Sequence, residues 1–351
     1  MKLLIITPEI HRLGGVANHY LGLSKHWTFE IEYLFYGKRN NNTPMWKSLL
    51  LYPYDYIRCI YKLLTSGIDA VIINPSLRKY QIIRDGLFLL ISRLCGKKVI
   101  TFIHGFDENY CETLKNNRLF KWCYNKSSFI YVLYSGFKKQ LINIGINAPI
   151  ELTTTKVATD LLSIETQTKT NARTILFLAR INKDKGIYEA IDTYAILKQE
   201  YPDLKFIVCG DGPILQDIKN YVTQNQIKNV EFRGNVTGKK LQMAYAESDI
   251  YILPTEQEGM ATTILEAMAF GLVIISRPVG GIVDFWKDNM GYLLTSKDPN
   301  EYAKAIKSII DNPKLLSDIS NFNRDFASRH FMADKVCKKF ETDINKYINQ
   351  R

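Results

Sequence analysis

Two glutamates with seven residues between them are the first feature of this sequence that could do chemistry. Glu258 follows the apolar run DIYILP, and Glu266 stands inside LEAMAFG, an otherwise apolar stretch. A carboxylate in such surroundings needs a partner or a place at the edge of a ligand, because an unpaired buried charge is costly. Carboxylates accept paired hydroxyl hydrogen bonds well, which suits sugar or ribose groups. Arg180 and Lys185 follow another apolar run, TILFLAR. Two cations five residues apart suit a diphosphate, Arg offering a planar fork and Lys a point charge; the same pair could equally be solvated surface charge. His104 closes KKVITFIHG, where an imidazole can be structural or functional. Gly14-Gly15, Gly210-Asp211-Gly212-Pro213, Gly259 and Gly280-Gly281 can each be a tight turn, or a helix start whose free N–H groups hold an anion. Neither G-x-G-x-x-G nor G-x-x-x-x-G-K-[ST] occurs, so a dinucleotide or P-loop reading has little support.

These residues share a position: each follows a short apolar run that reads as a buried strand. Such runs fall at 2–8, 29–37, 69–75, 97–105, 127–135, 174–180, 204–210, 230–234, 249–254 and 272–277. Helical spacing fills the intervals at 16–23, 55–64, 82–95, 186–200, 213–224, 239–246 and 262–270. Strand and helix in alternation imply parallel α/β sheets, in which ligands sit beyond the carboxyl ends of the strands. The polar stretch 163–173 has no apolar period and reads as an interdomain linker. Two doubly wound domains follow, 1–163 and 164–330, with an amphipathic helix over 331–351 long enough to reach beyond its own domain.

The length of 351 residues suits two cores, and 46% apolar with 23% charged residues is a globular composition. The net charge of +11 invites nucleic acid, an anionic membrane surface or a phosphorylated substrate. Residues 1–163 hold 21 Lys and Arg against 11 Asp and Glu, and residues 164–351 hold 25 against 24, so the excess lies in the first half. No RNA- or DNA-binding module is recognisable, which argues against nucleic acid as a partner. Six scattered cysteines without a C-x-x-C pair, and no signal-like N-terminus, point to the cytoplasm. The segment 44–64 mixes aromatic, apolar and basic residues. It reads either as a loop and a core helix, or as an interfacial patch that would hold the protein peripherally on the inner face of the plasma membrane.

Taken in order, PEIHRLGGVANHYLGLS, TFIHGFD, LARINKDKG, VCGDGP and EQEGMATTILEAMAFGLVIISRPVGGIVDF resemble the family-4 glycosyltransferases, the glycogen-synthase-like retaining enzymes of the GT-B fold. That resemblance implies two Rossmann-like domains facing across a cleft, the first binding acceptor and the second a nucleotide-sugar. It also implies that the last helix crosses back to the first domain. It makes Glu258 a ligand of the donor sugar's hydroxyls and Glu266 of the ribose hydroxyls. Arg180 and Lys185 would hold the diphosphate, with Gly15, Gly210 and Asp211 in the donor loops. The backbone from Gly259 through Met260, Ala261 and Thr262 to Thr263 would contact sugar and phosphate. His104 would stand near the anomeric carbon, and Arg233 to Val236 would border the base.

The reaction so implied moves a hexose from a UDP- or GDP-linked donor to a glycan or lipid-linked acceptor, with retention and without a metal, in surface polysaccharide or glycolipid synthesis. No D-x-D triplet occurs, and no cofactor is expected. The chain departs from the family at Gly259-Met260-Ala261, where Gly-Phe-Gly is common, at Gly271-Leu272-Val273 and at Asp284, which bears on the sugar's identity. A GT-B epimerase or phosphorylase remains an alternative.

Overall fold

The computed structural model describes residues 1–11, 14–37, 45–106, 108–164 and 168–348. Arg12 and Leu13 of the first motif, Asp107 of the second, Pro44, and residues 165–167 of the expected linker lie outside them. The chain divides into two compact units, Met1–Lys156 with Ala333–Arg351, and Val157–Met332.

Unit 1 runs β1 (Lys2–Thr7), α1 (Gly15–Leu23), β2 (Glu30–Phe35), α2 (Met45–Thr65), β3 (Ala70–Ile73), β4 (Ser76–Leu77), α3 (Lys79–Leu94), β5 (Lys98–Ile103) and β6 (Gly105–Phe106). It continues with α4 (Glu108–Leu114), α5 (Arg118–Tyr124), β7 (Phe129–Val132), α6 (Ser135–Ile144) and β8 (Ile150–Leu152). Its main sheet is parallel in the order β2-β1-β3-β5-β7-β8. The chain moves one way from β1 to β2 and the other way at every later crossover. Right-handed crossovers therefore put α1 on one face of the sheet and α2, α3 and α5 on the other. Covered on both faces, the strands read as continuous apolar runs; Ala70, Val71, Ile72 and Ile73 are all buried.

Unit 2 runs β9 (Thr174–Leu178), α7 (Ile187–Glu200), β10 (Lys205–Cys209), α8 (Leu215–Gln224), β11 (Val230–Gly234), α9 (Lys239–Ala246), β12 (Ile250–Leu253) and α10 (Thr262–Ala269). There follow β13 (Val273–Ser276), α11 (Ile282–Phe285), β14 (Gly291–Leu293), α12 (Pro299–Ile310) and α13 (Pro313–His330). Its sheet order, β11-β10-β9-β12-β13-β14, reverses direction between β9 and β12. The last helix, α14 (Ala333–Ile348), belongs to unit 1, where it packs beside α1.

Two expectations need correction. The chain leaves unit 1 after Lys156, not along 163–173. The described part of that stretch is strapped to unit 2: Lys169 Nζ donates to the Ala246 carbonyl at 2.6 Å, and the Arg173 N–H to Asp249 Oδ2 at 2.8 Å. A strap and a linker have the same polar composition, so composition could not separate them. Helix α2 begins at Met45 and passes through Pro53, so residues 45–54 are not a loop. Glu266 is the fifth residue of α10, a little more than one turn in, on the helix expected over 262–270.

Candidate functional site

The sheet of unit 2 leaves a crevice beyond the carboxyl ends of β9 and β12, the place where its strand order reverses. Lys185 follows β9 and Glu258 follows β12. They meet there, with Lys185 Nζ 2.8 Å from Glu258 Oε1, and the same ammonium donates to the Gln257 carbonyl at 3.2 Å. An ammonium has three protons, so this arrangement leaves one for a ligand oxygen. Both side chains are 19% exposed, enough to meet a ligand and too little for full hydration. Arg180, in the same loop as Lys185, is exposed.

Two glycines shape this crevice. A Cβ on Gly280, whose φ is +58°, would lie 2.1 Å from the Glu258 carbonyl oxygen. The next residue, Gly281, donates its N–H to the Gly259 carbonyl at 2.7 Å, so the Gly-Gly pair holds the glutamate loop from behind. A Cβ on Gly210, at φ +134°, would strike the Ala179 carbonyl oxygen at 1.9 Å. Asp211 accepts from the Gly212 N–H at 2.7 Å.

Glu266 is buried, and Tyr245, which sequence reasoning missed, donates its hydroxyl to Oε2 at 2.8 Å. Thr263 lies 2.6 Å from the hydroxyl of another unforeseen residue, Tyr251. No side chain caps α10 at Ala261, and Met260 and Ala261 pack partly onto the core. Two expected residues are placed differently. The Val236 side chain is buried in the core, so only its backbone could meet a base. Arg233 is engaged within the protein, by both oxygens of Glu231 at 2.9 Å and by Glu247 at 2.7 Å.

Gly15 and His104 belong to unit 1. Gly15 opens α1, and a Cβ there would meet nothing within 4 Å, so the backbone is open to approach. His104 is half-buried at the end of β5, its ring 3.7 Å from that of Phe102. Its Nε2 lies 2.9 Å from Asn74 Oδ1, which also accepts from the Tyr20 hydroxyl at 2.7 Å. The Asn74 amide donates to the Ile6 carbonyl at 3.0 Å, and that bond decides which end of the amide is oxygen. His104 therefore carries its proton on Nε2 and keeps a lone pair on Nδ1. Asn74 was not foreseen; the signal was the Asn-Pro pair that closes the apolar run 69–75, directly after β3.

Burial holds two histidines neutral. It pushes His104 down to about 3. His19 lies well below its ordinary value, through burial first and then the fields of His104 and Lys156. Unfolded, both titrate near 6.5. Between pH 6.5 and about 3 the unfolded chain binds more protons, so stability falls as pH falls through that window. At pH 5 His104 alone accounts for about 2 kcal/mol. The urea midpoint should drop between pH 7 and pH 5 and drop less in His104→Gln; equal slopes in the two proteins would contradict this.

Comparison with known proteins agrees with the architecture. An uncharacterized glycosyltransferase of Methanocaldococcus jannaschii is 22% identical over 346 residues, covering 94% of each chain. Another from Haemophilus influenzae is 28% identical over 178 residues, so that this chain spans only about half of that relative (49%). The crystal structure of Anabaena HepE in complex with UDP superposes with a TM-score of 0.74 at 15% identity, covering 99% of this chain and 100% of that one. The solved structures it resembles give the chain the GT-B fold, and residues 160–326, almost the whole of unit 2, match the glycosyl transferases group 1 family.

Proposed function

We propose that this protein transfers a hexose, with retention of configuration, from a nucleotide diphosphate sugar to a glycan or lipid-linked acceptor in surface polysaccharide or glycolipid synthesis. It would work in the cytoplasm, on the anionic inner face of a membrane. The observation that carries this reading is the Lys185–Glu258 pair at the strand-order reversal of unit 2, with Glu266 buried nearby in α10. UDP is favoured as the carrier, because HepE was crystallised with it.

In the step proposed, the bond between the anomeric carbon and the diphosphate oxygen breaks and a bond to the acceptor oxygen forms on the same face. The acceptor's proton passes to the departing diphosphate. Arg180 and Lys185 stabilise the charge that gathers there, aided by the uncapped start of α10, and no metal is assigned to that task. Glu258 accepts hydrogen bonds from sugar hydroxyls, and Glu266, steadied by Tyr245, from the ribose. We assign the Gly15 backbone to the distal phosphate. His104 Nδ1 is assigned to accept from the sugar's hydroxymethyl arm.

A thermal-shift screen of UDP- and GDP-sugars tests the donor. The true donor at 100 times its dissociation constant should stabilise the protein by about 2.7 kcal/mol. Incubation of that donor alone should leave it unisomerised, and transfer should require an acceptor hydroxyl. No shift with any nucleotide-sugar, or isomerised donor, would overturn the reading.

A further inference from the structure

The outer side of one helical layer in unit 1 is apolar where a soluble surface would be charged. Among the described residues, twelve of the seventeen exposed large hydrophobic side chains lie between Leu50 and Trp122. On α2 they form a stripe, Leu50, Tyr54, Ile57, Tyr61 and Leu64, each 57 to 70% exposed. The spacing of four, three, four and three keeps them on one side of the helix. The opposite side, with Asp55, Cys59 and Leu63, is buried. On α3 the exposed positions are Tyr80, Ile83, Leu87 and Leu94, and on α5 they are Leu119 and Trp122.

These stripes share one surface. The three helices lie on the same face of the sheet, α2 against α3 and α3 against α5. Tyr56 of α2 donates to the Arg84 carbonyl of α3 at 3.3 Å, and Tyr124 of α5 to the Ile82 carbonyl of α3 at 3.1 Å. An open apolar groove between α3 and α5, lined by Ile83, Leu87, Leu90, Leu119 and Phe120, joins two of the stripes. A patch this extended marks a docking surface.

Charge selects the occupant. Residues 45–126 contain thirteen Lys and Arg against six Asp and Glu, and two of the six, Asp55 and Asp85, are buried. The cations stand beside aromatic rings: Lys126 Nζ lies 4.6 Å from the Trp122 ring centre, and the Arg58 guanidinium 5.6 Å from that of Tyr54. Tyr and Trp with Lys and Arg at their edges suit the boundary between acyl chains and headgroups. A second copy of the same face would bring like charges together, whereas an anionic lipid surface complements them.

We propose that the α2–α3–α5 face of unit 1 docks on an anionic lipid bilayer, with α2 lying in the headgroup plane. Docking is peripheral, since no helix among the described residues is long and apolar enough to cross a membrane. This deepens the membrane-side part of the proposed function and does not depend on the sugar chemistry.

The test is co-sedimentation of the full chain with vesicles of phosphatidylglycerol and phosphatidylcholine, or of phosphatidylcholine alone, with neither donor nor acceptor present. We expect binding to the anionic vesicles at low salt, release in 0.5 M salt, and at least tenfold weaker partitioning for Ile57→Glu with Tyr61→Glu. Leu119→Glu should weaken it too, whereas Met243→Glu, on an exposed site of unit 2, should not. No pelleting with anionic vesicles, or pelleting unaffected by charges on this face, overturns the proposal. So does a dimer in solution that these charges dissociate without any vesicle binding, because the face would then be a self-association surface. Vesicle binding by a protein that turns over no nucleotide-sugar would refute the enzyme reading alone.

Discussion

Lys185→Ala is expected to lower sugar transfer about 10²- to 10³-fold, the usual loss when one charge-stabilising donor is removed from a transition state. The effect should fall on kcat more than on KM. A diphosphate gathers its extra charge as the glycosidic bond breaks, so the ammonium does more in the transition state than in the bound donor. Lys185→Ala also leaves Glu258 without its 2.8 Å partner. Stability should nevertheless move by about 1 kcal/mol or less, as for partly hydrated pairs. Glu258→Ala should impair transfer as well, through lost sugar contacts, with the two losses less than additive because the residues touch. Steady-state kinetics of the singles and the double decide it: kcat within twofold of the parent in Lys185→Ala would remove this residue from the mechanism.

Phe340→Ala is expected to destabilise unit 1 by about 3–5 kcal/mol, the range for a fully buried aromatic truncated in a core. Phe340 is 0% exposed. Its ring centre lies 4.6 Å from that of Tyr131, 5.6 Å from Phe102, 5.8 Å from His19 and 6.0 Å from Trp27. One ring thus joins α14 to two strands, to α1 and to the turn after α1. Polar bonds hold the same helix: Glu341 accepts from the Thr28 hydroxyl at 2.7 Å, Asp343 from the Tyr131 hydroxyl at 3.0 Å, and Glu151 from the Tyr347 hydroxyl at 2.6 Å. With a denaturant slope of roughly 2 kcal/mol per molar urea, the midpoint should fall by about 2 M. A fall under half a molar would mean that α14 is not part of the core.

What could be seen in the sequence follows from the physics of parallel sheets. Strands such as Ile250–Leu253 and Val273–Ser276 are covered on both faces, so they stand out as unbroken apolar runs, and residues after them are easily singled out. The amino-terminal half of α2 was hidden by Pro53, a residue that normally ends a helix. Helix α13 was hidden by its polar surface, although Asn312 accepting from the Leu315 N–H and Pro313 at the first position are a recognisable helix start. The partners inside the sites were out of reach for another reason. Tyr245 comes to Glu266 from α9, and Asn74 comes to His104 from the end of β3; folding, not spacing, brings them together. Arg233 shows the reverse. The family resemblance put it beside the base, whereas in the structure its guanidinium is held by Glu231, on its own strand β11, and by Glu247, at the end of α9.

The return of α14 to unit 1 has a consequence for how the protein is made. Unit 2 is an insertion within unit 1, entered after Lys156 and left before Ala333. A ribosome releases the whole of unit 2 before it releases Phe340 and Glu341. The first unit to be synthesised is therefore the last that can be completed. Until the final helix emerges, the sheet face around Phe102 and Tyr131 stays uncovered, an apolar surface of the kind chaperones bind during synthesis.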